Sequence, residues 1–63
     1  MTNYGIINKK TGKYFAGFEK NGDVKWVDDK SNAWVGKEIS AQCQATLLVR
    51  FDRSVQKKPI VIN

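Results

Sequence analysis

Two residues, Asn21-Gly22, constrain this chain more than any other pair. They separate Tyr14-Phe15-Ala16-Gly17-Phe18-Glu19 from Asp23-Val24-Lys25-Trp26-Val27-Asp28, two runs rich in aromatic and β-branched residues. Asn-Gly between apolar runs signals a β-hairpin, because both residues accept positive φ. Loop length then decides which side chains share a face. A two-residue loop pairs Phe18 with Lys25 and Gly17 with Trp26, which mixes apolar and charged residues on both faces. A three-residue loop, Lys20-Asn21-Gly22 with Gly22 left-handed, pairs Glu19 with Asp23 and Phe18 with Val24. It gathers Tyr14, Ala16, Phe18, Val24 and Trp26 on one face and leaves Phe15, Gly17, Glu19, Asp23, Lys25 and Val27 on the other. A one-residue slip moves a strand's whole side-chain set across the sheet, so the apolar pattern selects the three-residue loop. Gly17 marks either a bulge or close packing beside Trp26, and packing is the simpler expectation.

The remaining elements follow from periodicity. Tyr4 to Asn8 is a strand candidate, turned by Lys9-Lys10-Thr11-Gly12 into the second strand. Asp28 to Asn32 is a polar loop, and Ala33-Trp34-Val35 is either a helical turn or an extended piece ended by Gly36. Ser40 to Phe51 has helical spacing, with Ser40 as N-cap and Glu38 favourable just before it. Ala41, Ala45 and Leu48 form its inner stripe, flanked by Leu47 and Phe51, with Gln42, Thr46 and Arg50 opposite. Tyr14, Phe18 and Trp26 are expected beneath that stripe. Pro59 opens an apolar run, Ile60-Val61-Ile62, suited to an edge strand or to a tail that orders on a partner. The expected fold is α+β over residues 1–63 as one domain. It is an antiparallel three- to four-stranded β-meander with one helix on one face, in the order β-β-β-α-β.

Composition narrows function. A chain of 63 residues buries only about 60% of its unfolded surface, so its core is small. Cys43 is the single cysteine and histidine is absent, which removes an intramolecular disulfide and the commonest zinc and acid–base ligand. Neither a cofactor nor a metal is expected. A lone cysteine and the lack of a basic-then-apolar leader point to a cytoplasmic setting. No apolar run approaches membrane-span length, so no membrane partner is expected. Eleven basic residues against six acidic ones give a net charge of +5. That balance serves solubility and also favours anionic partners.

No catalytic residues are assigned. Asp28-Asp29 reads as a solvated turn, and Cys43 as a small packing residue without a base to activate it. Nucleic-acid binding would use Lys9, Lys10, Lys13 and Lys25, with Phe15 as the exposed ring on which a base stacks. Protein binding would use Phe15, Lys25, Trp34, Ile60 and Ile62, more apolar surface than so small a fold hides easily. Trp34 has two placements, as a plug at the end of the core or as an interface residue. The edge strand could pair with a partner or with a second copy to form a homodimer.

The Tyr4 strand, Thr11-Gly12-Lys13-Tyr14-Phe15, the Asn21-Gly22 turn, Val24-Lys25-Trp26, Asp28-Asp29, and Ala33 ahead of an alanine-rich helix make a pattern over most of the chain. That pattern resembles small accessory proteins encoded by phages and prophages of Gram-positive bacteria. The resemblance implies a non-enzymatic protein that binds and redirects a host macromolecule in the host cytoplasm, most often a protein and alternatively a nucleic acid. It assigns no site residue.

Overall fold

The structure, a computed structural model, describes residues 2–62. Strands β1 (Tyr4–Gly5), β2 (Tyr14–Phe18) and β3 (Val24–Val27) precede a 3₁₀ turn (Lys30–Asn32), helix α1 (Glu38–Phe51) and strand β4 (Ile60–Val61). The fold is the expected α+β, in the order β-β-β-α-β.

The segment from Asn3 to Lys9 is the spine. Successive residues of a strand aim their backbone groups at opposite edges, and here both edges are occupied. On one edge Tyr4 exchanges two hydrogen bonds with Gly36, the Ile6 carbonyl accepts from the Phe15 amide, and the Asn8 amide donates to Lys13. On the other edge the Asn3 carbonyl accepts from Ile62, Ile7 accepts from Gln56, and the Lys9 amide donates to Ser54. β1 pairs antiparallel with β4, so Ile60 and Val61 bond within their own chain and are not a free tail.

The meander is interrupted, however. β1–β4 and β2–β3 form separate two-stranded sheets, joined through the isolated bridge between Ile7 and Tyr14. The reason lies at Phe15. Its amide bonds Ile6, while its carbonyl accepts from the Trp34 amide at 2.7 Å. Trp34 to Gly36 therefore takes over the edge that a longer β2 would have filled. The extended form of Ala33-Trp34-Val35 is the one adopted.

The hairpin closes with the expected three-residue loop. The Glu19 amide donates to the Asp23 carbonyl at 2.7 Å, and Gly22 has φ +92°. The Asn21 side chain holds Asp23 twice, accepting from its amide and donating to its carboxylate. Beyond the loop the simple alternation fails. Phe18 pairs with Val24 and Phe15 with Trp26, so β2 advances three residues while β3 advances two. Gly17, at φ +104°, supplies the extra residue of a β-bulge; it is not a packing accommodation. An inserted residue reverses side-chain parity beyond it. Phe15 thereby turns inward and is 1% exposed, which overturns its expected place on the outer face. Phe18 stays on that inner face but sits near the turn, 56% exposed. Tyr14 pairs with Val27 on the outer face and is half-buried, so neither Tyr14 nor Phe18 fills the core as expected.

The core is Ile6, Phe15, Ala45, Leu48 and Val55, with Val24, Trp26, Trp34 and Val49 packed around it. Phe15 is its hub: its ring centroid lies 5.6 Å from Phe18, 6.2 Å from Trp26 and 5.7 Å from Trp34. Each such aromatic pair contributes about 0.5–1.5 kcal/mol beyond area burial. The helix buries Ala41, Ala45 and Leu48 as its spacing requires. It starts at Glu38, so Ser40 falls inside the first turn and Lys37 is the cap residue, without a side-chain bond. Gly36 is fixed by its pairing with Tyr4, and the Lys37 carbonyl already accepts from Ala41, so the helix begins directly after the pairing ends.

Asn8 is the one buried polar side chain among the described residues. Its Oδ1 accepts from the amides of Lys10 and Thr11, its Nδ2 donates to Asp52 at 3.4 Å, and its backbone bridges Val55. It thus shapes the Lys9–Gly12 turn and ties the spine to the end of α1.

Replacing Phe15 with Ala should lower stability by about 3–5 kcal/mol, while Phe18→Ala should lower it by less than about 1 kcal/mol. Urea unfolding measures both, and the reverse ranking would refute the parity switch at Gly17. A second outcome concerns Asp29, whose carboxylate accepts from the Ser31 amide at 3.0 Å and caps the 3₁₀ turn. That hydrogen bond holds its pKa below the ordinary 3.8. A depressed carboxylate pKa stabilises the fold above the unfolded value, and the contribution is lost as pH falls below it. Thermal unfolding between about pH 5 and pH 2 should therefore be less acid-sensitive in Asp29→Asn than in the native chain.

Candidate interaction surface

The residues expected to form a site are scattered. Phe15 is in the core, which removes it both as a partner contact and as the stacking ring of a nucleic-acid surface. Trp34 is half-buried against Phe15, and its indole curls back over Gly36: a Cβ there would lie 2.9 Å from Trp34 Cη2. That is the core-plug placement. Ile60 and Ile62 are half-buried, and Ile62 packs on Gly5 so closely that a Cβ on Gly5 would lie 2.6 Å from Ile62 Cγ1. Lys25 is exposed on the outer hairpin face that carries Tyr14 and Val27. Lys9, Lys10 and Lys13 are exposed around the Asn8-anchored turn. Continuing the pleat from Tyr14 places Lys13 on the face opposite to Lys25, so these two do not share a face.

The structure shows a different surface. Ile39, Cys43, Leu47 and Phe51 recur at every fourth residue of α1 and form one ridge along it. Ile39 is 76%, Leu47 49% and Phe51 83% exposed, and Cys43 is exposed as well. The ridge lies opposite the buried Ala41, Ala45 and Leu48 stripe. Leu47 and Phe51 therefore do not flank the core, and Cys43 does not pack in it, contrary to expectation. α1 has two apolar stripes, and the inner one runs from small Ala41 and Ala45 to bulky Leu48.

The charges around the ridge are mixed, with cations in slight excess. Arg50 and Thr46 run beside it, with Lys37 at its N-terminal end and Arg53 beyond its C-terminal end, all exposed. Glu38 and Asp52 are exposed among them. Asp52 accepts from Asn8 and from the Ser54 amide, and Glu38 lines an open groove on the other side of the helix. That groove, of about 360 Å³, is lined by Tyr4, Glu38, Gln42, Lys57, Lys58 and Pro59 and carries charges of both signs. Periodicity at i, i+4, i+8 and i+12 was the available signal for the ridge.

Chemistry finds less support in the arrangement. Asp28 and Asp29 end a strand and cap a turn. Among the described residues no group of three or more His, Cys, Asp or Glu side chains could hold a metal ion. No described helix is long and apolar enough to cross a membrane.

Because Phe51 is 83% exposed, Phe51→Ser should change stability by no more than about 0.5 kcal/mol, while Leu47→Asp, at a half-covered mid-helix position, should cost about 1 kcal/mol. A thiol reagent should modify Cys43 in the folded protein as fast as in the unfolded chain; strong protection in native buffer would refute this placement. Comparison with family models, with curated proteins and with solved structures finds no match.

Proposed function

We propose that this chain is a small, non-enzymatic interaction protein that binds a host protein through the Ile39–Phe51 ridge of α1 and so modulates it. The observation that carries this is the ridge itself: three large apolar side chains stand in solvent on a helix whose other face already completes the core. Exposed apolar side chains that serve no packing mark binding surfaces. The phage-accessory type, acting in the host cytoplasm, fits this proposal, since an exposed thiol at the centre of the ridge stays reduced there.

The test is affinity capture from a bacterial lysate at low and moderate salt, with three baits. The native chain should retain a defined protein, Leu47→Asp/Phe51→Ser should lose it, and a Lys9→Glu/Lys10→Glu/Lys13→Glu variant should keep it. Capture that survives the ridge variant, or that disappears on nuclease treatment, would overturn the proposal. A nuclease-sensitive result would favour nucleic acid through the exposed lysines.

A further inference from the structure

We infer that the outer edge of β3 binds a second copy of this chain, as an antiparallel strand pair centred on Val24 in which Asp23 of each copy faces Lys25 of the other. The inference goes beyond the ridge on α1 and does not depend on it.

The hydrogen bonds show that this edge is open. In an antiparallel ladder, residues whose amide and carbonyl face the neighbouring strand alternate with residues whose groups face away. The Glu19 amide donates to the Asp23 carbonyl, so Asp23 faces β2 and Val24, next along, faces away. Phe15 gives its amide to Ile6, and its carbonyl accepts from Trp34. The Phe15–Trp26 pair therefore exchanges no ladder bonds, and Trp26 faces away from β2 as well. Among the described residues, none bonds the amides and carbonyls of Val24 and Trp26 from the outer side. Such a row is a template on which another strand pairs. β4 offers less, being two residues long and following Pro59, which lacks an amide.

Charge selects the occupant and the register. Two copies related by a two-fold axis can set Val24 and Trp26 into hydrogen-bonded pairs with the axis at Val24, at Lys25 or at Trp26. An axis at Lys25 puts the two lysines directly opposite each other, and an axis at Trp26 puts Asp23 opposite Asp29. Like charges so placed are destabilising. An axis at Val24 puts Asp23 opposite Lys25 twice, and both side chains are exposed. Trp26 then lies across from Gly22, which has no side chain to obstruct it. Asp23 is already held in place by the Asn21 side chain. The segment is thus its own complement, and Lys25, which guards an isolated edge, fixes the register of the pair. The contact is short, about five residues a side against the ~20–30 of a standard interface, and a net charge of +5 on each copy opposes it. The dimer is therefore weak, with a Kd of about 0.1–1 mM.

The experiment is sedimentation equilibrium of the intact chain up to about 1 mM, the weak end of that range, with a reductant present so that exposed Cys43 cannot cross-link copies. The native chain should show a monomer–dimer equilibrium. Lys25→Glu, which sets Glu against Asp23, should weaken it by roughly tenfold or more. Asp23→Lys/Lys25→Asp should restore it, with circular dichroism confirming that each variant is folded, and Phe51→Ser should leave it unchanged. Amide exchange followed by NMR supplies the second measurement. Exchange at Val24 and Trp26 should slow as concentration rises, while the Lys25 amide, which faces β2, should not respond. A monomer at about 1 mM, a dimer indifferent to Lys25→Glu, or a folded charge-swapped variant that stays monomeric would overturn the inference. So would a dimer lost in Phe51→Ser, which would place the contact on the ridge, or exchange at Val24 and Trp26 that does not change with concentration.

Discussion

The position of one aromatic ring governs this fold, and one glycine governs that ring. Phe15 touches Phe18, Trp26 and Trp34 and sits among Ile6, Leu48 and Val55. In a protein whose core is this small, Phe15 joins the hairpin, the Trp34 segment and the helix in one contact cluster. It does so only because Gly17 takes φ +104° and adds a residue to β2. Without the bulge Phe15 would face solvent and Ala16 would face the helix. The hairpin, the interrupted meander and the diversion of Trp34 onto Phe15 are linked consequences of that one backbone conformation.

Much of this was readable from local chemistry, and the failures share a cause. Asn21-Gly22 specifies its loop through the φ preferences of two residues, and the register next to the turn follows directly. Ala41, Ala45 and Leu48 announce an inner helix face by spacing. Parity beyond Gly17 was not readable by alternation, because a single glycine in a strand is compatible with a bulge or with plain close packing. The helix start was shifted by Gly36, which is fixed by a bond to Tyr4 that lies far away in sequence. Asn8 and Val55 meet across the chain, and nothing local to Val55 sets it apart from the polar residues on either side. The ridge was hidden in a different way. Its residues are apolar, but Ile39 precedes the expected helix start at Ser40, and spacing alone places Leu47, Phe51 and Cys43 beside the inner stripe. A helix with two apolar stripes needs the strands in place before inside and outside can be told apart.

The division of labour between the two helix faces gives the molecule its functional logic. Ala41 and Ala45 present little bulk on the inner face of α1, and Leu48 fills the core beside Ile6 and Phe15. Ile39, Leu47 and Phe51 point outward and leave a pre-formed row on the helix. A partner meeting it need not order a loop or disturb the packing beneath, so little of its interaction energy is spent on rearrangement.

The central spine carries a consequence for cooperativity. One edge of Asn3–Lys9 is completed by residues 13–15 and Gly36, and the other by residues 54–62. Both edges are covered only when segments from before and after helix α1 are docked together. Losing the 54–62 pairing would leave the Tyr-Gly-Ile-Ile strand with an open edge, the kind of surface on which a second chain pairs.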